Sequence, residues 1–147
     1  CFDLGGPVNK AAYLFATAGL SAQSQASFQI MAAVMAAEIR LGHAPRDVSA
    51  EKKGWDIESR DGTTGHLRFL EVKGRHEDGD VVILTKNEVL AALNAPEAFI
   101  LAIVRIAADG AREPVYIRRP PFREPGFAES HVALKVTQLL PLGNPPG

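Results

Sequence analysis

The chain has 147 residues, 46% of them hydrophobic and 22% charged, which suits one soluble globular domain with a buried core. Sixteen basic residues against seventeen acidic ones leave a net charge of −1, so any nucleic-acid contact must use a local patch. The single cysteine, Cys1, excludes an internal disulfide and a cysteine zinc cluster. It stands where an initiator Met is expected, which reads as a fragment or a processed chain.

Charge is spread unevenly. From Cys1 to Ala37 only Asp3 and Lys10 are charged, whereas from Glu38 onward charges are frequent. The opening has no basic start and so is a poor signal peptide. Its apolar run, Ala11 to Leu20, stops at Ser21-Ala22-Gln23-Ser24-Gln25, short of the ~18 residues a membrane span needs. The expectation is a cytoplasmic protein with no membrane contact by its main domain.

In chain order, Gly5-Gly6-Pro7 is a turn, and Asn9 to Leu20 reads as a helix capped by Asn9. Phe28 to Leu41 is the strongest helix signal: Ile30, Met31, Val34, Met35, Ala37 and Leu41 share one face, and Gly42 stops it. Ala44 to Asp47 reads as a loop. Trp55 to Ser59 and Leu67 to Lys73 alternate apolar and polar residues around the turn Asp61-Gly62-Thr63-Thr64-Gly65, which predicts a β-hairpin ended by Gly74. After a turn at His76 to Asp80, Val81 to Leu84 is a third strand. Thr85 with Glu88 three residues on is a capping box for a helix from Lys86 to Asn94. Ala98 to Ile106 is a buried strand, Asp109-Gly110 a turn and Val115 to Ile117 a short strand. A proline-rich stretch follows, with a helix over Val132 to Leu140. This order predicts an α/β fold with a mixed β-sheet flanked by helices.

The hairpin carries the chemistry. Glu71 and Lys73 lie two apart on a strand and therefore share a face, with Val72 turned the other way. Asp56, on the partner strand, can sit across from Glu71. Two carboxylates and an ammonium at one sheet edge suit metal-assisted phosphodiester hydrolysis. Carboxylates bind a hard cation such as Mg²⁺ (or Mn²⁺), the metal activates water and polarises the phosphoryl oxygen, and a lysine steadies developing charge. A surface salt bridge across the hairpin, contributing ~0.5 kcal/mol, is the plain alternative.

Gly54-Trp55-Asp56-Ile57-Glu58-Ser59-Arg60-Asp61, then Arg68-Phe69-Leu70-Glu71-Val72-Lys73-Gly74-Arg75, then Thr85-Lys86-Asn87-Glu88 resemble the Protein NO VEIN C-terminal domain, over about Met31 to Phe127. The Asp…Glu-x-Lys arrangement in turn resembles the PD-(D/E)XK superfamily, which implies a restriction-endonuclease-like core. By that resemblance Asp56 and Glu71 hold the metal, the Val72 carbonyl adds a ligand, and Lys73 is the catalytic lysine. Glu38 matches an accessory acid of some members, although it also reads as the polar face of its helix. Asn87 and Glu88 fall where others carry polar residues. Trp55 replaces the proline that usually precedes the first Asp, and is expected to pack in the core. Arg68, Arg75 and Lys86 are candidate phosphate contacts, each equally readable as a solvated charge.

The implied function is a metal-dependent nuclease-like domain acting on nucleic acid, DNA before RNA, beside a helicase-like region and with no small-molecule cofactor. A non-catalytic binding module on the same fold is the alternative. Separately, Phe2 to Tyr13 resembles the membrane-embedded sugar-translocating subunit (EIIC) of fructose-type phosphotransferase systems, and Met31 to Ala37 is similar to it as well. The expected organisation is therefore a chimera, with an added segment over residues 1–27 and the nuclease-like domain over 28–147. No transport follows, because a translocator needs many spanning helices.

Overall fold

A computed structural model of the chain describes residues 21–147. The helix expected from Asn9 to Leu20, and residues 1–20 of the transporter-like segment, lie outside the described residues.

The first helix, α1, spans Ala22–Arg40 and is capped by the Ser21 hydroxyl, which accepts from the Ser24 N–H. It starts six residues earlier than the expected Phe28, because Ser21 supplies an N-cap and Ala, Ser and Gln all tolerate helix. It is continuous across the expected division between residues 27 and 28. Among the described residues no helix is long and apolar enough to cross a membrane.

The main sheet comprises β1 (Ala44–Asp47), β2 (Ile57–Arg60), β3 (Leu67–His76), β5 (Phe99–Ala107), and two short strands sharing the far edge of β5, β6 (Gly110–Ala111) and β7 (Val115–Arg118). The β3–β5 pair is parallel and the others are antiparallel, so the sheet is mixed as expected. Ala44–Asp47 is a strand rather than a loop. Pro45 lacks a donor, but β1 is an edge strand, where that omission is tolerated.

Between β3 and β5 the chain forms β4 (Val81–Thr85) and α2 (Lys86–Asn94). β4 leaves the main sheet and pairs antiparallel with β8 (His131–Lys135), which runs into the one-turn α3 (Val136–Leu139). The helix expected over Val132 to Leu140 is thus a strand for half its length. Val132 and Leu134 alternate with exposed neighbours, and β4 offers a partner that sequence alone does not reveal.

Alternation along β5 divides the interior into two layers. Ile100, Ala102 and Val104 pack with Leu70, Ile57 and the α1 residues Ala33, Val34 and Ala37 on one face. Phe99, Leu101 and Ile103 pack with Val82, Leu84, Val89, Val136 and Leu139 on the other. Each fully buried Leu or Ile contributes roughly 1.5–3 kcal/mol. β3 also runs through Gly74 rather than ending there. Gly74 keeps its pairing with Val104, and its missing Cβ lets α1 close in, since a Cβ would lie 1.9 Å from Ile30 Cδ1.

Candidate active site

The register of the hairpin determines which side chains meet. Ile57 faces Leu70, which sets Asp56 opposite Glu71. Asp56 stands one residue before β2 rather than within it. Its backbone is held on both sides, donating to the Leu70 carbonyl (2.9 Å) and accepting from the Val48 N–H (2.8 Å). Beyond Leu70, β3 has no β2 residue to pair with. Asp56 Oδ2 takes that place and accepts from the Val72 N–H at 2.9 Å. The N–H and C=O of a strand residue point to the same edge, so the Val72 carbonyl turns toward Asp56 as well.

Glu71 and Lys73 leave β3 on the α2 side, level with Leu101 and Ile103 of β5. Glu71 is buried, at 2% exposure. Burial and then the adjacent Asp56 carboxylate push its pKa up to about 10, against the pull of Lys73, and the two acids share a hydrogen bond. Lys73 Nζ lies 3.5 Å from Glu71 Oε2 and donates to Glu88 Oε1 at 3.0 Å. That same Glu88 oxygen accepts from the Thr85 N–H (2.9 Å), while Thr85 Oγ1 accepts from the Glu88 N–H (3.2 Å). The expected capping box is therefore present, and it also holds the lysine.

A cleft of about 350 Å³ opens over this group, lined by Asp56, Glu71, Glu88, Asn87, Lys52 and Trp55 among others. Trp55 is not in the core. The chain bends before β2, and the half-buried indole stacks on Phe69 (centroids 4.2 Å apart) and donates to Glu58. The loop before Asp56 is seated on α2. Lys52 adopts φ +51° and its carbonyl accepts from Asn87 Nδ2 at 3.4 Å, while Gly54 takes φ +100°. A Cβ on Gly54 would lie 2.9 Å from Ala91 Cβ and 3.0 Å from the Asn87 carbonyl oxygen. Gly54→Ala is therefore expected to lower stability by about 1–3 kcal/mol. An unchanged melting temperature would show that this loop is not held against α2.

Other expected site residues go elsewhere. Glu38 is neither an accessory acid in the cleft nor a polar helix face. It is fully buried and accepts from Arg68 Nε (2.9 Å), Arg68 Nη2 (3.1 Å) and the Tyr116 hydroxyl (2.8 Å). Arg68 is correspondingly buried and committed to Glu38, so it is not available to a phosphate. Arg75 is half-buried and bonds the carbonyls of Val81 and Gly74. Lys86, half-buried, opens α2 between two residues of the cleft wall. Ser49, Lys52, Gly54, Trp55 and Thr85 line the cleft without having been expected there, and Gly54-Trp55 directly before Asp56 was the one available signal.

Asp56 and Glu71 are brought together, with Lys73 on Glu71. Among the described residues no three His, Cys, Asp or Glu side chains form a ready-made metal cluster. Two carboxyls and a carbonyl still suit a hard cation that keeps several waters. The raised pKa of Glu71 comes from burial first and from the Asp56 carboxylate second, and a bound cation would offset the second.

The profile of the Protein NO VEIN, C-terminal family matches residues 28–117. The chain belongs to this family. No curated protein and no solved structure gives a significant match. In this NO VEIN C-terminal domain the matched span begins within α1 and ends in β7, so it contains Asp56, Glu71, Lys73 and Glu88 and leaves out β8 and α3.

Proposed function

We propose that this NO VEIN C-terminal domain is a metal-dependent nuclease of the PD-(D/E)XK kind, hydrolysing nucleic-acid phosphodiesters, DNA before RNA, as an accessory to a helicase-like region. The observation that carries the reading is the convergence of the Asp56 and Glu71 carboxyls, with Lys73 beside them, at the floor of an open cleft. Asp56, Glu71 and the Val72 carbonyl would hold Mg²⁺ or Mn²⁺. A bound cation supplies an activated water and charge neutralisation at the phosphoryl oxygen. Lys73 orients the attacking water and offsets charge on the phosphorane, and Glu88 keeps its ammonium in place. Asn87 and Lys86 border the path of the strand.

A plasmid and a single-stranded circle incubated with Mg²⁺ or Mn²⁺ provide the test. Cutting should require the metal and fall by at least about 10³-fold in Lys73→Ala and Asp56→Asn. Metal-dependent cutting that survives both substitutions would refute this site. The tie between Lys73 and two acids, together with the burial of Arg68, favours a second reading, a module that binds nucleic acid without cutting. Binding retained in Asp56→Asn, with no cutting by the unaltered chain, would select it.

Metal binding should also be linked to protons. Glu71 holds a proton up to about pH 10 and must give it up to become a ligand. Apparent Mg²⁺ affinity should therefore rise with pH, by up to about tenfold per unit below that value. Calorimetry in buffers of different ionisation heat measures the released proton. A pH-independent affinity between pH 6 and 9 would exclude Glu71 as a ligand.

A further inference from the structure

Asp56 sits between two cavities. One is the cleft on the α2 side. The other, of about 360 Å³, lies on the α1 side of β3 and shares Asp56 and Ser49 with the first. Their chemistry differs. The α2 side is lined by Lys52, Thr85, Asn87, Glu71 and Glu88, which are polar or charged. The α1 side has an apolar wall of Ile30, Met31 and Val72, with the polar residues Ser27 and Ser49 beside it. Ile30, Met31 and Val72 are only partly covered by the neighbouring core.

We infer that the α1-side cavity is a nucleobase subsite, which takes the unpaired base next to the phosphate held at Asp56. The inference rests on the phosphodiester reading above and adds the class of substrate. A phosphodiester seated at Asp56 sends one nucleoside to each side. A nucleobase has apolar faces and a polar edge, matching a wall of Ile30, Met31 and Val72 with the polar residues Ser27, Ser49 and Asp56 around it. Sequence-tolerant packing of this kind contributes about 1–3 kcal/mol per base. A base inside a duplex is stacked and paired and cannot enter a recess between a helix and a sheet edge without being pulled out. The preferred substrate is therefore single-stranded DNA, or a frayed or flapped end.

The test uses the whole chain and a DNA 10-mer carrying one 2-aminopurine, single-stranded or annealed into a blunt duplex. Binding is followed by anisotropy and 2-aminopurine fluorescence with Ca²⁺, and cutting is measured in parallel with Mg²⁺. Ser27 is exposed on α1 and lines the cavity, so Ser27→Trp fills the recess without entering the core. Met31→Ala removes part of the wall. The single strand should bind about tenfold more tightly than the duplex, with a fluorescence change on binding. Ser27→Trp should lower single-strand affinity about tenfold at an unchanged melting temperature, and Met31→Ala about fivefold. Equal binding of both DNAs, no binding of either, or indifference to Ser27→Trp would overturn the subsite. If Mg²⁺-dependent cutting persists in that case, the nuclease reading stands alone. Binding that depends on Ser27 without any cutting keeps the subsite and removes the nuclease reading.

Discussion

Glu38→Ala is expected to destabilise the domain by about 3–5 kcal/mol, the largest effect of any single substitution considered for this fold. Glu38 has no exposure, and Arg68 holds it through two hydrogen bonds while Tyr116 supplies a third. Removing the carboxylate leaves the Arg68 guanidinium buried with, among the described residues, the Gly147 carbonyl as its remaining partner. Arg118 adds to that cost, because it also donates to Gly147, and burial and then Arg68 already hold its pKa below the usual arginine range. Tyr116→Phe removes one hydrogen bond to the same carboxylate and should cost only about 1–2 kcal/mol. Replacing both charges, as Glu38→Leu with Arg68→Met, should recover most of the loss, since a buried ion pair often does no better than apolar packing of similar size. Urea unfolding of the three variants measures this. A loss below about 1 kcal/mol for Glu38→Ala would mean that water reaches Arg68 and that the pair is not buried in solution.

Glu71→Gln is expected to raise stability above neutral pH while abolishing metal-dependent cutting. In the folded chain the Glu71 carboxyl is raised from 4.5 to about 10, so at neutral pH the fold keeps a proton that the unfolded chain has released. Its contribution to stability is fully present below about pH 4.5, and is lost progressively as pH rises toward 10. The slope is about 1.4 kcal/mol per pH unit, which amounts to roughly 3 kcal/mol by pH 7. Glutamine keeps the size and a hydrogen bond to Asp56 without a proton to lose, so the variant should show a flatter profile from pH 5 to 9. Urea unfolding across that range decides the matter. Parallel profiles for the two proteins would show that Glu71 ionises normally and that the site is open to water. A positive charge placed between Asp56 and Glu71 would act as the substitution does, so Mg²⁺ should stabilise the unaltered chain and leave Glu71→Gln unchanged.

The two acids therefore differ in consequence, although both are buried. Glu38 is satisfied by an arginine and a tyrosine and holds α1 to the sheet. Glu71 faces another acid, with a lysine it shares with Glu88. An arrangement that lowers stability at neutral pH and opens onto a cleft has the character of a functional site.

Local patterns in the chain were enough for the α/β class, the hairpin, the buried strand expected over Ala98 to Ile106 and found at Phe99–Ala107, and the Thr85–Glu88 capping box. Each depends on residues within a few positions of one another, where strand alternation and N-cap chemistry act. The hairpin register also follows from its turn, and it carried Asp56 opposite Glu71 with Lys73 on the same face. Long-range partners were beyond that reach. Ala44–Asp47 becomes a strand because β2 has an open edge, and His131–Lys135 because β4 turns out of the main sheet. Glu38 and Arg68 stand 30 residues apart, so nothing in their neighbourhoods distinguishes a buried pair from two solvated charges. Contact between Lys73 and Glu88 arises because β3 and α2 lie on one side of the sheet. Charge placement in the interior is decided by which surfaces close on each other, and that is a property of the folded chain.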